Sequence, residues 1–481
     1  MTNIKYEPVI GLEVHVQLKT KTKAFCGCAN EFGSKENTNI CPVCLGLPGS
    51  LPVLNAQVLV GAARVALALD CTIRHFIKFD RKNYFYPDLP KNFQISQFDM
   101  PLSENGHLDI KVDGISPKRI RIKRVHLEED AGKLMHPEGS ISSLVDFNRA
   151  GTPLLEIVTE PDIYSPEEAY AYLSDLKLML QYLDISDCDM EKGSLRCDAN
   201  ISIRPAGETK LGTKAELKNM NSFKAVKAAL EYEIKRQAQS LDAGERIVQE
   251  TRLWDEKKEV TLPMRSKEEA HDYRYFPEPD LPPFTFTDAD IEGMRNSLPE
   301  LPQQRLRRFV ENFGLGEKDA AVLIADKELA DFFEACVEIY NEPKKISNWI
   351  SGPVLFNMNS RNSSFGALRL TPGHLTDLIC LVEDGTVSNL VGKDILAQML
   401  AAGSAPKDIV REKNLAQVSG ADELNEIIEE VIAANKKSVD DYACGKENAL
   451  MFLVGQVMKR SGGKANPKVA RSLLAERLKR T

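Results

Sequence analysis

From Leu12 to Leu18 the run Val9-Ile10-Gly11-Leu12-Glu13-Val14-His15-Val16-Gln17-Leu18 alternates apolar and polar residues without a break. Successive side chains of a β-strand point to opposite faces, so this period reads as a half-buried strand. Leu12, Val14, Val16 and Leu18 face a core; Glu13, His15 and Gln17 face the other way. The pattern returns in Arg119–Asp130, in Pro153–Glu160, and in Arg196–Arg204, where Arg196, Asp198, Asn200, Ser202 and Arg204 alternate with Cys197, Ala199, Ile201 and Ile203. Together they predict a sheet whose open face carries carboxylates, a histidine, an asparagine and arginines. Such a face suits Mg²⁺, which takes oxygen ligands and shares its shell with water and substrate phosphates.

At 481 residues the chain is long enough for several domains with cores of their own. No apolar run approaches the ~20 residues that span a bilayer, and the start MTNIKYEP lacks a signal-peptide core. A cytoplasmic chain without membrane contact is expected. The net charge of −8 argues against a surface that coats nucleic acid throughout, while leaving room for a local basic patch. Ten cysteines in so long a chain are not a disulfide framework. Four of them, Cys26, Cys28, Cys41 and Cys44, form a C-x-C…C-x-x-C pattern with twelve residues between the pairs. Two close thiolate pairs can converge on a tetrahedral Zn²⁺ at about 2.3 Å, and a closed shell of this kind is structural. Cys71, Cys188, Cys197, Cys336, Cys380 and Cys444 are scattered and read as packed thiols.

Cations and rings interleave in Lys78–Asp88, through Lys82, Asn83, Tyr84, Phe85 and Tyr86, and again in His271–Asp280. Such residues can hold phosphates and stack bases, or simply fill a core. No G-x-x-x-x-G-K-[ST] loop is present, since Gly462-Gly463-Lys464-Ala465 lacks the spacing and the hydroxyl. Nor is there a G-x-S-x-G nucleophile elbow. Any ATP must therefore be held by metal and arginines on the sheet.

Beyond about residue 295 helical periods replace alternation, as in Asp319–Val337 and Leu375–Val382, with turns at Pro343 and Thr371-Pro372-Gly373. A loose stretch, 401–406, precedes a last segment striped by Leu450, Leu453, Val454, Val457 and Met458. From Lys459 onward eight Lys/Arg (459, 460, 464, 468, 471, 477, 479, 480) face one acid, Glu476. In an acidic chain that asymmetry suggests contact with an RNA backbone.

The segments VIGLEVHVQL (9–18), FDRKNYFYPDLPKNFQISQ (79–97), HLEEDAGK (126–133), FNRAGTPLLEIV (147–158), GSLRCDANIS (193–202), GTKAELKNMNS (212–222) and DYRYFPEPDL (272–281), with FLVGQVMK (452–459) and GKANP (463–467), carry a resemblance over essentially the whole length. They resemble the B-subunit (GatB) family of glutamyl-tRNA(Gln)/aspartyl-tRNA(Asn) amidotransferases. The resemblance implies an α+β chain in three parts. A catalytic cradle, 1–295, would be built on an antiparallel sheet similar to glutamine synthetase and guanido kinases, with a zinc-binding insertion at 26–44. An all-helical domain, 296–406, and a helical tRNA-binding tail, 407–481, would follow. It implies a heterotrimer with an A (amidase) and a C subunit, and an ATP-dependent ligase reaction on misacylated tRNA(Gln) or tRNA(Asn). Glu13, His15, Glu129 and Glu156 map onto the family's catalytic Mg²⁺ site, where Mn²⁺ could substitute. Arg149, Arg196, Asp198, Asn200, Glu216, Lys82, Asn83 and Tyr84 fall around the nucleotide or the activated acyl group. Two competing readings are a zinc-stapled tRNA-binding scaffold without catalysis and a free-standing ligase of the glutamine synthetase type. The second would leave the basic tail without a role.

Overall fold

A computed structural model describes residues 6–478 except 113, 115, 138, 265–271, 414, 416–420, 444, 462–464 and 466. His271, Cys444, Lys464, Lys479 and Arg480 therefore lie outside the described residues.

The chain is α+β. The first alternating run is the strand Tyr6–Gln17, at the middle of a nine-stranded sheet. It lies antiparallel between Pro153–Thr159 and Leu195–Pro205, the other two strongly alternating segments. The register sets Glu13 between Val158 and Asp198, and His15 between Glu156 and Arg196. Lys118–Glu129 comes next, with His126 opposite Glu156. Ser103–Ile110 and Thr72–Ile73 close that side; Ala215–Lys218, Thr251–Asp255 and Val260–Pro263 close the other. The sheet is mixed rather than antiparallel throughout, because Ala215–Lys218 and Thr251–Asp255 run parallel. The helix Phe223–Asp242 lies between those two strands in sequence and supplies the crossover that a parallel pair needs.

Leu12, Val14 and Val16 are fully buried in the core, under helices Ala56–Ala68, Pro166–Tyr182 and Phe223–Asp242. Each helix begins at a side-chain cap: Asn55 accepts from the Gln57 amide, Ser165 from Glu168 and Ser222 from Ala225. With the apolar face covered, the polar face is left open. Above one side of it stands a small sheet of Phe276–Pro277, Asp80–Asn83 and Phe93–Ser96, whose last strand packs on Lys118–Glu129. The second basic and aromatic cluster thus pairs with the first, Phe276 opposite Arg81.

The first compact unit runs past residue 295 to Pro302, since Ile291, Met294, Leu298 and Leu301 still pack on this core. The second unit, from Gln303, is helical among its described residues. The periodic stretch Asp319–Val337 is two helices, Glu317–Ile324 and Lys327–Ile339, broken where the Asp326 carboxylate caps the Glu328 and Leu329 amides. Pro343 and Pro372 open helices Pro343–Trp349 and Pro372–Glu383, as proline does at a first turn. Pro406–Glu412 packs on Pro372–Glu383 and Asn389–Ala402, so residues 407–412 join the middle helices rather than the tail. Ala421–Ala434, Lys436–Ala443, Glu447–Arg460 and Pro467–Leu478 share a core of their own, including Leu450, Leu453, Val454 and Val457.

Candidate active site

The open face gathers three side chains from three adjacent strands. His15, Glu128 and Glu156 each offer a ligand atom, and these atoms lie within 4.8 Å of one another. His15 Nδ1 is 3.5 Å from Glu128 Oε1, while His126 Nε2 lies 3.3 Å from Glu156 and 3.7 Å from Glu128. Burial works against charge on all four groups, and their mutual attraction overrides it. Glu128 and Glu156 raise the pKa of His15, and Glu156 with Glu128 lifts that of His126 to about 9. The two histidines in turn hold Glu128 well below the usual carboxylate range, and His126 foremost brings Glu156 to about 2.

Glu129, which the resemblance maps onto the metal site, is not part of this group. It forms an ion pair with the buried Lys91 and accepts from the Ile95 amide at 2.9 Å. The cause is a β-bulge. Arg124 faces Val158 while Ile122 faces Thr159, so Lys123 is an extra residue in the strand. Beyond it Arg124, His126 and Glu128 share the open face, and Val125 and Leu127 enter the core. Glu13 borders the group rather than joining it and accepts from Asn200 Nδ2 at 2.9 Å. Burial, then the Glu156 and Glu216 carboxylates, raise its pKa. A divalent cation would relieve this crowding of negative charge.

The expected nucleotide residues surround the group, many of them already engaged. Arg196 pairs with Asp130 at 2.7 Å, and Arg149 donates to the Ala131 and Gly132 carbonyls at 3.0 and 2.5 Å. Asp198 pairs with Lys218, while Glu216 lies 3.0 Å from Lys218 and accepts from Thr251 at 2.7 Å. Lys82 sits 4.8 Å from the Tyr273 ring centre, and Glu128 and Glu156 help to raise its pKa against the effect of burial. Tyr84 Oη donates to Gln94 at 3.3 Å, and Asn83 Nδ2 to the Arg274 carbonyl at 2.8 Å. Of the buried polar atoms without a protein partner among the described residues, Arg124 Nε, His126 Nδ1 and Arg196 Nε lie on these strands. Orphaned donors around paired carboxylates and a histidine fit a site for a metal ion and an anionic ligand.

The cysteine knuckle forms a second cluster. Cys26, Cys28, Cys41 and Cys44 bring their sulfurs within 4.8 Å of one another. Cys41 and Cys44 Sγ are 3.9 Å apart, close to the ~3.8 Å edge of a tetrahedron with 2.3 Å Zn–S bonds. A hydrogen bond from Cys26 does most to lower the Cys44 pKa, to about 5, and correspondingly raises that of Cys26. Fully buried Lys23 donates to the Asn39 carbonyl at 2.7 Å and to Cys44 Sγ at 3.8 Å. An ammonium buried beside thiolates, with the Cys41 amide donating to Cys44 Sγ at 3.1 Å, suits a negatively charged metal–thiolate centre. Of the other thiols, Cys71, Cys188, Cys197 and Cys336 are packed as expected, but Cys380 is exposed.

A family profile described as the GatB/GatE catalytic domain matches residues 8–292, and one described as the GatB domain matches 331–478. The chain belongs to the GatB/GatE family. It is 56% identical over 475 residues to a protein of Thermoanaerobacter sp. (strain X514), spanning 99% of this chain and all of that one. A protein of Carboxydothermus hydrogenoformans is 54% identical over 478 residues, covering 98% of this chain and 99% of its own. One of Persephonella marina is 53% identical over 477 residues, covering 99% and 100%. Each is named as the B subunit of an aspartyl/glutamyl-tRNA(Asn/Gln) amidotransferase.

The GatB/GatE catalytic-domain match takes in the whole polar floor and the cysteine knuckle. Between the knuckle and the floor lies a cavity of about 190 Å³ lined by Cys26, Cys44, Arg81, Lys91, Glu129 and Glu278. Four residues at the site were not singled out in the sequence: Lys91, Arg124, His126 and Glu128. His126 and Glu128 repeat the two-residue spacing of Glu13 and His15, the signal that could have found them. No helix among the described residues is long and apolar enough to cross a membrane.

Proposed function

We propose that this chain is the B subunit of a tRNA-dependent amidotransferase and carries the ATP-dependent half of the reaction. A single observation carries this reading: His15, Glu128 and Glu156 meet, largely buried, on the polar face of the sheet with cationic groups around them. Membership of a family whose relatives are named as amidotransferase B subunits supports it. The substrates would be Glu-tRNA(Gln), Asp-tRNA(Asn) or both.

A free carboxylate resists ammonia because its leaving group would be oxide. Its oxygen therefore attacks the γ-phosphorus of ATP, ADP departs, and an acyl phosphate forms on the aminoacyl side chain. Ammonia, supplied by the A subunit, then attacks the acyl carbon and loses a proton as phosphate leaves. The side chain becomes Gln or Asn. Phosphoryl transfer depends on positioning and on cancelling charge. His15, Glu128 and Glu156 would hold Mg²⁺, which when bound supplies that cancellation. Lys82 and Arg196 add positive charge at the rim, and Lys218 holds Asp198 in place. The knuckle would hold a structural Zn²⁺, and the C subunit would join A to B.

The basic tail gives the RNA a second contact. Lys459, Arg460 and Arg471 are exposed on its helices. Deleting 421–481, which spares Pro406–Glu412 and the helices it packs on, is expected to raise the KM for tRNA about tenfold. It should also flatten the salt dependence of tRNA binding. Filter binding across a salt series, with steady-state kinetics, checks both. An unchanged KM would remove the tail from RNA recognition.

A further inference from the structure

The bulge that sets the metal group also places two cations side by side. Lys123 is the extra residue and Arg124 follows it, so neither enters the core. Lys123 is exposed and forms no ion pair among the described residues. Arg124 meets Glu156 only at 3.9 Å, and its buried Nε has no partner. Glu104, opposite Arg124 on the neighbouring strand, is taken by Arg74 at 2.6 Å. The other basic residues of this strand differ: Arg119 pairs with Asp109 and Arg121 with Asp162, each at 2.7 Å. Arg149 is likewise engaged, and Arg196 is held by Asp130 at 2.7 Å, although its own buried Nε also lacks a partner. Arg124 thus keeps an unused donor beside Glu156, with the exposed Lys123 next to it in the chain.

We infer that Lys123 and Arg124 form a phosphate clamp for the polyphosphate of the nucleotide, an inference that rests on the proposed ATP-dependent reaction. Arg124 stands next to a carboxylate of the metal group, so a phosphate there would contact the guanidinium and the metal ion together. That arrangement recurs wherever phosphoryl groups are transferred. A guanidinium with a free Nε edge can engage two phosphate oxygens, whereas Lys123 offers a mobile point charge further out. A bulge provides what a regular strand cannot, two consecutive side chains on the polar side.

The test uses the complex assembled with its A and C subunits and a non-hydrolysable ATP analogue with Mg²⁺, read by equilibrium binding. Arg124→Gln is expected to weaken analogue binding about tenfold or more, and Lys123→Ala by about threefold to tenfold. Arg119→Ala, on the same strand but paired away, serves as control and should stay within twofold. Lys123 is exposed, so its variant keeps the question open to measurement even if Arg124→Gln folds poorly. Analogue affinity within twofold of wild type in both clamp variants overturns the inference. If tRNA affinity falls instead, the pair serves the RNA backbone. Failure of the wild-type complex to bind the analogue at all would sink the ATP-dependent reading itself.

Discussion

Glu128→Gln is expected to lower tRNA-dependent ATP turnover by about 10²–10³-fold while leaving tRNA affinity within twofold. The amide keeps the shape of the side chain and removes the charge that faces His15 and His126. The Mg²⁺ concentration needed for half-maximal turnover should rise in parallel, since one of two anionic ligands is gone. Glu129→Gln, one residue on, should behave differently. Glu129 and Lys91 are an ion pair buried between the strands, and an uncompensated ammonium there costs roughly 3–5 kcal/mol of stability. That variant should therefore show a lowered urea midpoint with an unchanged Mg²⁺ requirement. Turnover and denaturation of the two variants, run side by side, decide which glutamate serves the metal. A raised Mg²⁺ requirement in Glu129→Gln alone would reverse the assignment.

Cys44→Ala is expected to release the zinc and destabilise the catalytic unit by on the order of 5 kcal/mol. Zinc contributes ~10–16 kcal/mol in isolated zinc-finger peptides, where nothing else holds the fold. Here the loop is also held by the Asn37 amide on Asp146 at 3.0 Å and the Asn39 amide on Asn148 at 2.8 Å. Much of the loss would come from Lys23, a buried ammonium left without its thiolate. Disturbance should reach the floor, because the knuckle's Gly46 packs on the Lys91 stem. A Cβ added at Gly46, where φ is +65°, would fall 2.4 Å from Lys91 Cγ. Metal analysis of the purified protein and thermal unfolding with and without a chelator check this. A metal-free protein of unchanged stability would leave the cysteines as four packed thiols.

The floor was largely legible in the sequence because strand alternation is a strict code. Leu12, Val14 and Val16 went inward, and Glu13 and His15 stayed on the polar face, as their period required. The code failed where the backbone slipped. In Arg119–Asp130 the apolar positions change parity between Ile120 and Ile122 on one side of Lys123 and Val125 and Leu127 on the other. The pairing with Val158 and Thr159 shows this shift to be an extra residue that puts Glu128, not Glu129, on the polar face. Helical period has a similar blind spot. Asp319–Val337 keeps its apolar spacing across the break at Asp326, and a cap, not a change of period, divides it. The C-x-C…C-x-x-C spacing brought its four sulfurs together, since short loops leave little freedom. Partner choice was the least legible: nothing local marked Arg149 as engaged by backbone carbonyls while leaving Arg124 with an unpartnered Nε.

The most direct test of the account asks whether a phosphoryl group moves to the aminoacyl-tRNA. The complex would be given misacylated Glu-tRNA(Gln), Mg²⁺ and γ-labelled ATP, without glutamine or ammonia. Label on the aminoacyl-tRNA, or its hydrolysis product with tRNA-dependent ADP formation, is expected in wild type but not in Glu128→Gln. Equal ADP formation by the two proteins, or amide formation on adding ammonia with no ATP consumed, would contradict it.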